Sequence, residues 1–136
     1  MLKSNYQKGK RKYDGRWKKA NPERMRLYRR NYNNSIKGRL GRLRLRSIKA
    51  GNSFDISLPE FTEWYEGQKP QCHYCGNKLY MGQGPKRLDG YSFDRRDNNK
   101  GYTIDNIALC CNRCNMAKGS WFTEEQMLEI AHEYFR

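Results

Sequence analysis

Alternating hydrophobic and polar positions predict a β-strand in the second half of the chain. Between positions 91 and 95, Tyr91, Phe93 and Arg95 fall on one side, while Ser92 and Asp94 fall on the other. Successive side chains of a strand point to opposite faces of a sheet, so this alternation is typical of a strand whose two faces have different surroundings. We therefore expect Ser92 and Asp94 to share one face.

A second strand and two helices are predicted after it. The Asp, Asn and Gly composition of 97–101 indicates a turn, and the apolar run at 107–110 indicates a strand. Residues 112–118 form a predicted short helix that ends at Gly119, because glycine readily adopts the conformation that terminates a helix. A capping-box sequence at 123–126 then predicts a final amphipathic helix. The chain thus contains a strand, turn, strand and helix in succession.

The N-terminal third is predicted to be helical after an irregular start. Residues 1–20 mix basic, aromatic and glycine positions without periodicity, which indicates a flexible arm that becomes ordered on its ligand. Asn21 suits a helix N-cap and Pro22 suits the first helical position. Gly38 and Gly41 weaken the helix that follows. The sequence leaves open whether this region is one long helix or two helices with a break at the glycines.

The middle of the chain is predicted to join these two regions through a short helix. Residues 54–56 resemble a short extended segment. Ser57 and Glu60 form a capping-box sequence, and Phe61 begins the apolar face of the helix that follows. The glycine-rich stretch at 81–85 predicts an irregular loop. We expect the helix to pack against the core of the C-terminal half.

The charge of the chain is concentrated at its N-terminus. Residues 1–50 carry 18 of the 28 Lys and Arg residues and 2 of the 14 Asp and Glu residues. A basic region of this kind favours a polyanionic partner, and no helical face is apolar enough to favour a membrane surface instead. We therefore predict two parts, a basic nucleic-acid-binding arm and helix at 1–50 and a second domain at 51–136.

The sequence also predicts the cellular environment. No apolar run approaches the ~18 residues of a membrane span, and the first residues lack the apolar segment of a secretory signal. We expect an intracellular protein in a reducing compartment, where paired cysteines are more often metal ligands than disulfides.

The five cysteines predict a structural zinc site. Cys72 and Cys75 form one Cys-x2-Cys pair, and Cys111 and Cys114 form another. Two such pairs surround Zn²⁺ tetrahedrally and leave no open coordination position, so the metal stabilises the fold rather than performing chemistry. Cys110 is an alternative to Cys111, but neighbouring strand residues face opposite ways and only one of the two can face the metal. We choose Cys111 and expect Cys110 to be a buried thiol.

The order of these motifs resembles the HNH endonucleases of the ββα-metal class. The motifs are Cys72-x2-Cys75, Phe93-Asp94-Arg95, Asp105-Asn106-Ile107 and Leu109-x-Cys111-x2-Cys114-Asn115-x2-Lys118. The resemblance covers about residues 54–130 and is greatest to small phage and intron members and to the endonuclease VII type, which have zinc knuckles around the active site. It implies an α+β fold with a zinc-bound ββα-metal core and a basic helical N-terminal region.

The resemblance also implies an active site. It makes Asp94 and Asn115 the ligands of one catalytic Mg²⁺ or Mn²⁺ ion, and it makes Asn106 a structural residue that braces the loop between the strands. A hard cation prefers oxygen ligands and keeps several waters, so one carboxylate and one amide oxygen suit it. Taken singly, Asp94 is more typical of a strand-end turn residue than of a ligand, and Asn115 is more typical of an ordinary polar residue near a helix start. Their joint placement favours the ligand role.

Position 95 departs from the HNH pattern. Members of the family usually carry a His there as general base, whereas this chain has Arg95, which stays protonated and cannot accept the proton of a water molecule. Arg95 is instead a candidate clamp for the scissile phosphate. The water would then be activated by the metal or by another side chain, for which Asp97 and His73 are the candidates.

The expected function is metal-dependent endonuclease activity of the nicking or homing type. Double-stranded DNA is the expected substrate and RNA the alternative. We expect nucleic-acid contacts from five basic residues, Arg39, Arg42, Arg44, Arg46 and Lys118. Two rivals stay open, a zinc protein that binds DNA or RNA without cleaving it and a small basic zinc protein associated with RNA. The sequence does not indicate an oligomeric state.

Overall fold

The computed structural model describes residues 15–82 and 84–136, in which helices surround two small sheets. The helices are α1 (Gly15–Ala20), α2 (Pro22–Asn34), α3 (Ile36–Lys49), α4 (Leu58–Glu66), α5 (Asn112–Lys118) and α6 (Glu124–Tyr134). The strands are β1 (Phe54–Asp55), β2 (Tyr91–Arg95), β3 (Tyr102–Thr103) and β4 (Ile107–Cys111), with a 3-10 turn at Ile104–Asn106.

The centre of the fold is a ββα unit. Strands β2 and β4 are antiparallel, with Tyr91 opposite Cys111 and Asp94 opposite Ala108. Helix α5 starts immediately after β4, and the sulfur of Cys111 accepts a hydrogen bond from the amide of Cys114 at its first turn. The strands and the helix predicted at these positions are confirmed, and β4 extends one residue further than the expected 107–110.

A second sheet ties the loop between β2 and β4 to the N-terminal half. Strand β1 pairs with β3 in parallel, and the amide of Tyr102 donates to the carbonyl of Ser53 at 2.8 Å. At Gly101 a Cβ atom would collide with the side chain of Ser53. Glycine is therefore required there because the two segments approach closely.

The N-terminal region differs from the sequence expectation in two ways. Residues 15–20 form helix α1 rather than part of an irregular arm, and residues 1–14 lie outside the described residues. The break between α2 and α3 falls at Ser35, whose hydroxyl accepts a hydrogen bond from the amide of Gly38 at 3.0 Å. A Cβ atom at Gly38 would collide with the carbonyl of Tyr32. Gly38 therefore does not end a helix. Its lack of a side chain lets α2 and α3 approach each other closely.

The core lies between the ββα unit and helices α3 and α4. Leu43 of α3 and Phe61 of α4 are almost completely buried, and the Phe61 ring packs edge-on against Phe93 of β2 at 5.5 Å. The capping boxes predicted for α4 and α6 are both present, at Ser57 and Thr123. The division of the chain at residue 50 stays a prediction. Within the described residues, none of the helices has both the length and the apolar character needed to cross a bilayer.

Candidate active site and metal centre

Four of the five cysteines converge on one point. The ligand atoms of Cys72, Cys75, Cys111 and Cys114 all lie within 4.8 Å of one another, and all four residues are buried. Tetrahedral zinc with Zn–S bonds of ~2.3 Å separates its sulfurs by about 3.8 Å, and the sulfurs of Cys75 and Cys111 are 3.9 Å apart. The donor set and spacing therefore fit zinc. Cys110, also buried, lies outside this group, as expected.

Backbone amides complete the cluster. The amides of Cys75 and Cys111 donate to the sulfur of Cys72 at 3.5 and 3.3 Å. Hydrogen bonds from the Cys111 and Cys114 thiols lower the pKa of Cys72. The pKa of Cys114 is raised because its thiol donates to Cys111 and Cys72 and is buried. The cluster therefore favours the thiolate of Cys72 and disfavours that of Cys114, which a bound cation would have to deprotonate.

Asp94 is buried and has two protein partners. It is 6% exposed on β2, and its Oδ2 atom accepts a hydrogen bond from the hydroxyl of Tyr74. The Nζ atom of Lys118 lies 3.1 Å from the same oxygen. Burial and the hydrogen bond to Asp94 raise the pKa of Tyr74, so its hydroxyl keeps its proton at neutral pH.

Lys118 is a fully buried cation whose donors are all engaged. Besides the Asp94 carboxylate, Nζ contacts the carbonyl of Arg95 and the Oδ1 atom of Asn98, both at 2.8 Å. An ammonium group has three donors, and these three oxygens match them. Lys118 is 0% exposed, which differs from the expectation that it contacts nucleic acid. In this packing it neutralises Asp94.

Asn115 and Asp94 lie on the same side of the ββα unit. Its Nδ2 atom donates to the hydroxyl of Ser92 at 2.8 Å, and Lys118, one turn later on α5, contacts Asp94. The alternation expected for β2 is thus observed, with Ser92 and Asp94 both facing α5. The amide nitrogen of Asn115 is a hydrogen-bond donor without a lone pair available to a metal, so Oδ1 is its atom that can bind a cation. One carboxylate oxygen and one amide oxygen fit a hard divalent ion that keeps several waters, although Lys118 already neutralises the carboxylate.

Arg95 and Asn106 hold the loop between β2 and β3. The Nη1 atom of Arg95 donates to the carbonyls of Asn98 and Lys100 at 3.1 and 3.2 Å. The Oδ1 atom of Asn106 accepts from the amide of Asp97 at 2.9 Å, and its Nδ2 atom donates to the carbonyls of Asp97 and Gly101. These contacts fix the loop at both ends and engage Nη1 of Arg95. The catalytic roles of both residues stay predictions.

The two candidate bases are already engaged with neighbours. The Nε2 atom of His73 lies 3.0 Å from Glu124, whose two carboxylate oxygens also accept from Nε of Arg96 at 2.9 Å. Burial by itself raises the pKa of Glu124, but the hydrogen bonds from Arg96 and His73 lower it below its usual value. Asp97 accepts a hydrogen bond from the amide of Asn99 in its own turn.

Sequence reasoning missed Tyr74 and Glu124. A tyrosine between two zinc ligands has no pattern that links it to an aspartate 20 residues later, and only the packing of the knuckle on β2 shows the contact. Glu124 reads as an acidic residue at a helix N-terminus, which is common for electrostatic reasons alone.

The arginines of α3 that were predicted to contact nucleic acid differ in their exposure to solvent. Arg44 and Arg46 of α3 are exposed, and Arg42 is half-buried. Arg39 is buried, which differs from the expectation of a surface contact, and its guanidinium lies 4.2 Å from the ring centre of Tyr91.

Comparisons with known proteins support the fold. No family model matches the chain. It is 28% identical over 116 residues to an uncharacterised protein of Acanthamoeba polyphaga mimivirus, a match that covers 85% of this chain and 20% of that protein, so the chain spans about one fifth of the length of that relative. Its structure is similar to that of the rare-cutting HNH restriction endonuclease PacI, with a TM-score of 0.57, 24% identity and coverage of 68% of this chain and 71% of the other. The α+β fold of this chain is therefore of the HNH type.

Proposed function

We propose that this chain is a nuclease that hydrolyses phosphodiester bonds of DNA with the help of a divalent metal ion. The observation that carries the proposal is the placement of Asp94 and Asn115 by β2 and α5 on one side of an HNH-type ββα unit. The similar structure is described as an HNH restriction endonuclease, which supports the same class of activity. The four cysteines would hold zinc, which closes the fold around the site.

The residues of the site have separate tasks in this proposal. Asp94 and Asn115 hold Mg²⁺ or Mn²⁺, which, when bound, supplies positive charge to the phosphate oxygens and to the leaving oxygen. Tyr74 fixes the orientation of the Asp94 carboxylate by its hydrogen bond. Lys118 shares that carboxylate and so competes with the ion for its charge. We therefore expect weak metal binding in the absence of substrate.

The proton of the attacking water needs an acceptor other than residue 95. Arg95 remains protonated at neutral pH. His73 and Asp97 stay candidates, and use of His73 requires that its contact with Glu124 leave one ring nitrogen free to accept. We place His73 first because Glu124 orients its ring, as an acidic partner does in many acid–base pairs.

A second function is favoured by one specific observation. Lys118 and Tyr74 already pair Asp94, so the site is electrically balanced without a metal ion. A chain that binds nucleic acid without cleaving it fits this balance. This alternative predicts the same zinc content and the same basic N-terminal region.

Conversion of supercoiled plasmid to nicked circles separates the two functions. The wild type is compared with Asp94→Asn at low salt, with Mg²⁺ or Mn²⁺ and with buffered zinc throughout. Omission of the second metal is a better control than a chelator, because a chelator also removes zinc from the cysteines. Asp105→Asn is the matched variant, since this carboxylate is exposed and its side-chain hydrogen-bond partner is Thr103.

We expect nicking by the wild type and by Asp105→Asn, and none by Asp94→Asn or without the second metal. Plasmid binding without nicking under all conditions would contradict the nuclease proposal and favour the binding protein.

A further inference from the structure

A cavity of about 430 Å³ lies between α3 and the irregular segment before β2. Its lining is rich in cationic side chains, namely Arg39, Arg42, Arg46, Lys86 and Arg87. No described lining residue is acidic, and Arg87 alone of the five is paired with a nearby carboxylate, that of Asp89. We call this cavity the α3 groove. Its charge makes it a site for an anion.

Two guanidinium nitrogens in the α3 groove are buried without a hydrogen-bond partner among the described residues. Arg39 donates through Nη2 to the carbonyl of Met81 at 2.6 Å and through Nε to that of Asn34 at 3.3 Å, which leaves Nη1 unpartnered. Arg42 donates through Nη2 to the hydroxyl of Tyr91 at 2.7 Å, which leaves Nε unpartnered. Burying a charged N–H without an acceptor is unfavourable, and few native groups remain so. An acceptor from outside the chain would satisfy both.

The geometry of these two residues suits an oxyanion. Arg39 and Arg42 are three residues apart on α3, so they lie on adjacent turns of one helix face. The Tyr91 contacts and the backbone carbonyls hold both side chains against the wall of the groove, with Nη1 of Arg39 and Nε of Arg42 inaccessible to solvent. A ligand therefore reaches these two atoms only after the guanidinium groups turn toward the groove. Arginine presents its donors in a planar fork that matches phosphate oxygens.

We propose that the α3 groove binds a backbone phosphate of a nucleic-acid strand through Nη1 of Arg39 and Nε of Arg42. This inference rests on the proposed action on nucleic acid and specifies where the strand is held. Tyr91 and Phe93 line the groove from the face of β2 opposite to Asp94. The bound phosphate is therefore an anchor and not the phosphate that is cleaved.

The rest of the groove favours a strand over a small anion. Arg46 is exposed, as is Lys86 on the other wall, so further cations continue beyond the buried pair. Gly84 lines the same wall, and no described atom lies within 4 Å of the position that a Cβ atom would take there. Successive phosphates of one strand would meet these cations in turn, whereas a single inorganic phosphate would use only the buried pair.

The test measures binding alone, with duplex DNA in a salt series and without Mg²⁺, by fluorescence anisotropy. Arg42→Gln removes the unpartnered Nε. Lys37→Gln is the matched control, because it removes the same charge from the same helix at an exposed position outside the groove. Losing one phosphate contact reduces the magnitude of the negative slope of log K against log salt by about 0.9. We expect this reduction and about tenfold weaker binding for Arg42→Gln, with at most about twofold weakening for Lys37→Gln.

Equal effects of the two substitutions, or none for Arg42→Gln, would overturn the proposed phosphate site. Binding by the wild type separates this inference from the proposed action on nucleic acid. Failure of the wild type to bind DNA or RNA would count against the nucleic-acid function as a whole, whereas unchanged binding by a folded Arg42→Gln would remove only the anchor.

A second measurement reports on the nitrogen itself. The Nε–H resonance of Arg42 in a ¹H–¹⁵N spectrum should shift at a much lower concentration of a short duplex than of inorganic phosphate or a mononucleotide, because the duplex also meets the further cations of the groove. Equal half-shift concentrations for all three ligands would mean a site for small phosphates and would overturn a strand site. Arg39→Lys serves as a further variant, since it keeps the charge while removing Nη1 and should weaken binding in a protein that remains folded.

Discussion

Replacing Lys118 by Met should destabilise the protein far more than the loss of an ordinary surface lysine. Methionine is similar in length and apolar, so it fills the same space without the charge. The substitution leaves the buried Asp94 carboxylate with Tyr74 as its hydrogen-bond donor and removes the donor from the carbonyl of Arg95 and from Asn98. A buried charge that loses its counterion is costly because water cannot replace the partner.

The expected loss of stability in Lys118→Met is large because both partners of the ion pair are buried. The two side chains are 0% and 7% exposed, so solvent screens their interaction little. Removing one partner of a buried ion pair costs about 3–5 kcal/mol, a large part of the roughly 5–15 kcal/mol by which single domains are stable. Lys78→Met, at an exposed position, should change the free energy of unfolding by no more than about 0.5 kcal/mol.

The assay is urea unfolding at constant buffered zinc, followed by both tryptophan fluorescence and circular dichroism. A double-mutant cycle with Asp94→Asn isolates the pair, because the double variant carries neither charge. We expect the double variant to lose about 1–3 kcal/mol less than the sum of the two single losses. Additive losses, or a loss below about 1 kcal/mol for Lys118→Met, would refute the view that Lys118 neutralises Asp94 inside the fold.

Three further predictions concern the surroundings of the site. Tyr74→Phe should lower the free energy of unfolding by about 1.5–3 kcal/mol, since it removes a hydrogen bond to a charged acceptor, and urea unfolding measures it. Zinc removal by a chelator, or Cys72→Ser, should unfold the C-terminal part as seen by circular dichroism, whereas Cys110→Ala should keep the bound zinc in a metal assay. Folding lowers the pKa of Glu124 below its usual 4.5. The stability that this carboxylate contributes is therefore present above about pH 4.5 and is lost as the pH falls through the folded-state pKa. Glu124→Gln should make the free energy of unfolding depend less on pH in the acid range than Glu125→Gln does.

The ββα unit was predictable because its signals are local. The alternation from Tyr91 to Arg95 and the glycine after α5 each specify structure within a few residues, and both are confirmed. The choice of Cys111 over Cys110 needed only the alternation of strand side chains. The break between α2 and α3 falls at Ser35, three residues before the glycine at which it was expected. Gly38 is instead required by its close approach to the carbonyl of Tyr32 at the end of α2, and a glycine in a helical pattern does not distinguish such a contact from a helix end.

The surroundings of Asp94 could not be predicted, because they depend on how three separate segments meet. Lys118 lies in the last turn of α5, where a lysine is ordinarily an exposed residue that complements the helix dipole. Its contact with Asp94 arises because α5 crosses β2 at the height where Ser92 and Asp94 both face the helix. Nothing in the spacing of the two residues along the chain indicates this.

The proposed metal site and the packing of α5 on β2 depend on the same contacts. Asn115 and Lys118 occupy adjacent turns of α5, and they contact Ser92 and Asp94 on alternate positions of β2. A shift of α5 along β2 would therefore move a proposed ligand and the competing ammonium group together. Binding of a divalent ion between Asp94 and Asn115 must weaken the contact of Lys118 with the shared carboxylate, since both cations draw on the same negative charge. Metal affinity and the stability of this helix on the sheet should consequently change in opposite directions among variants at position 118.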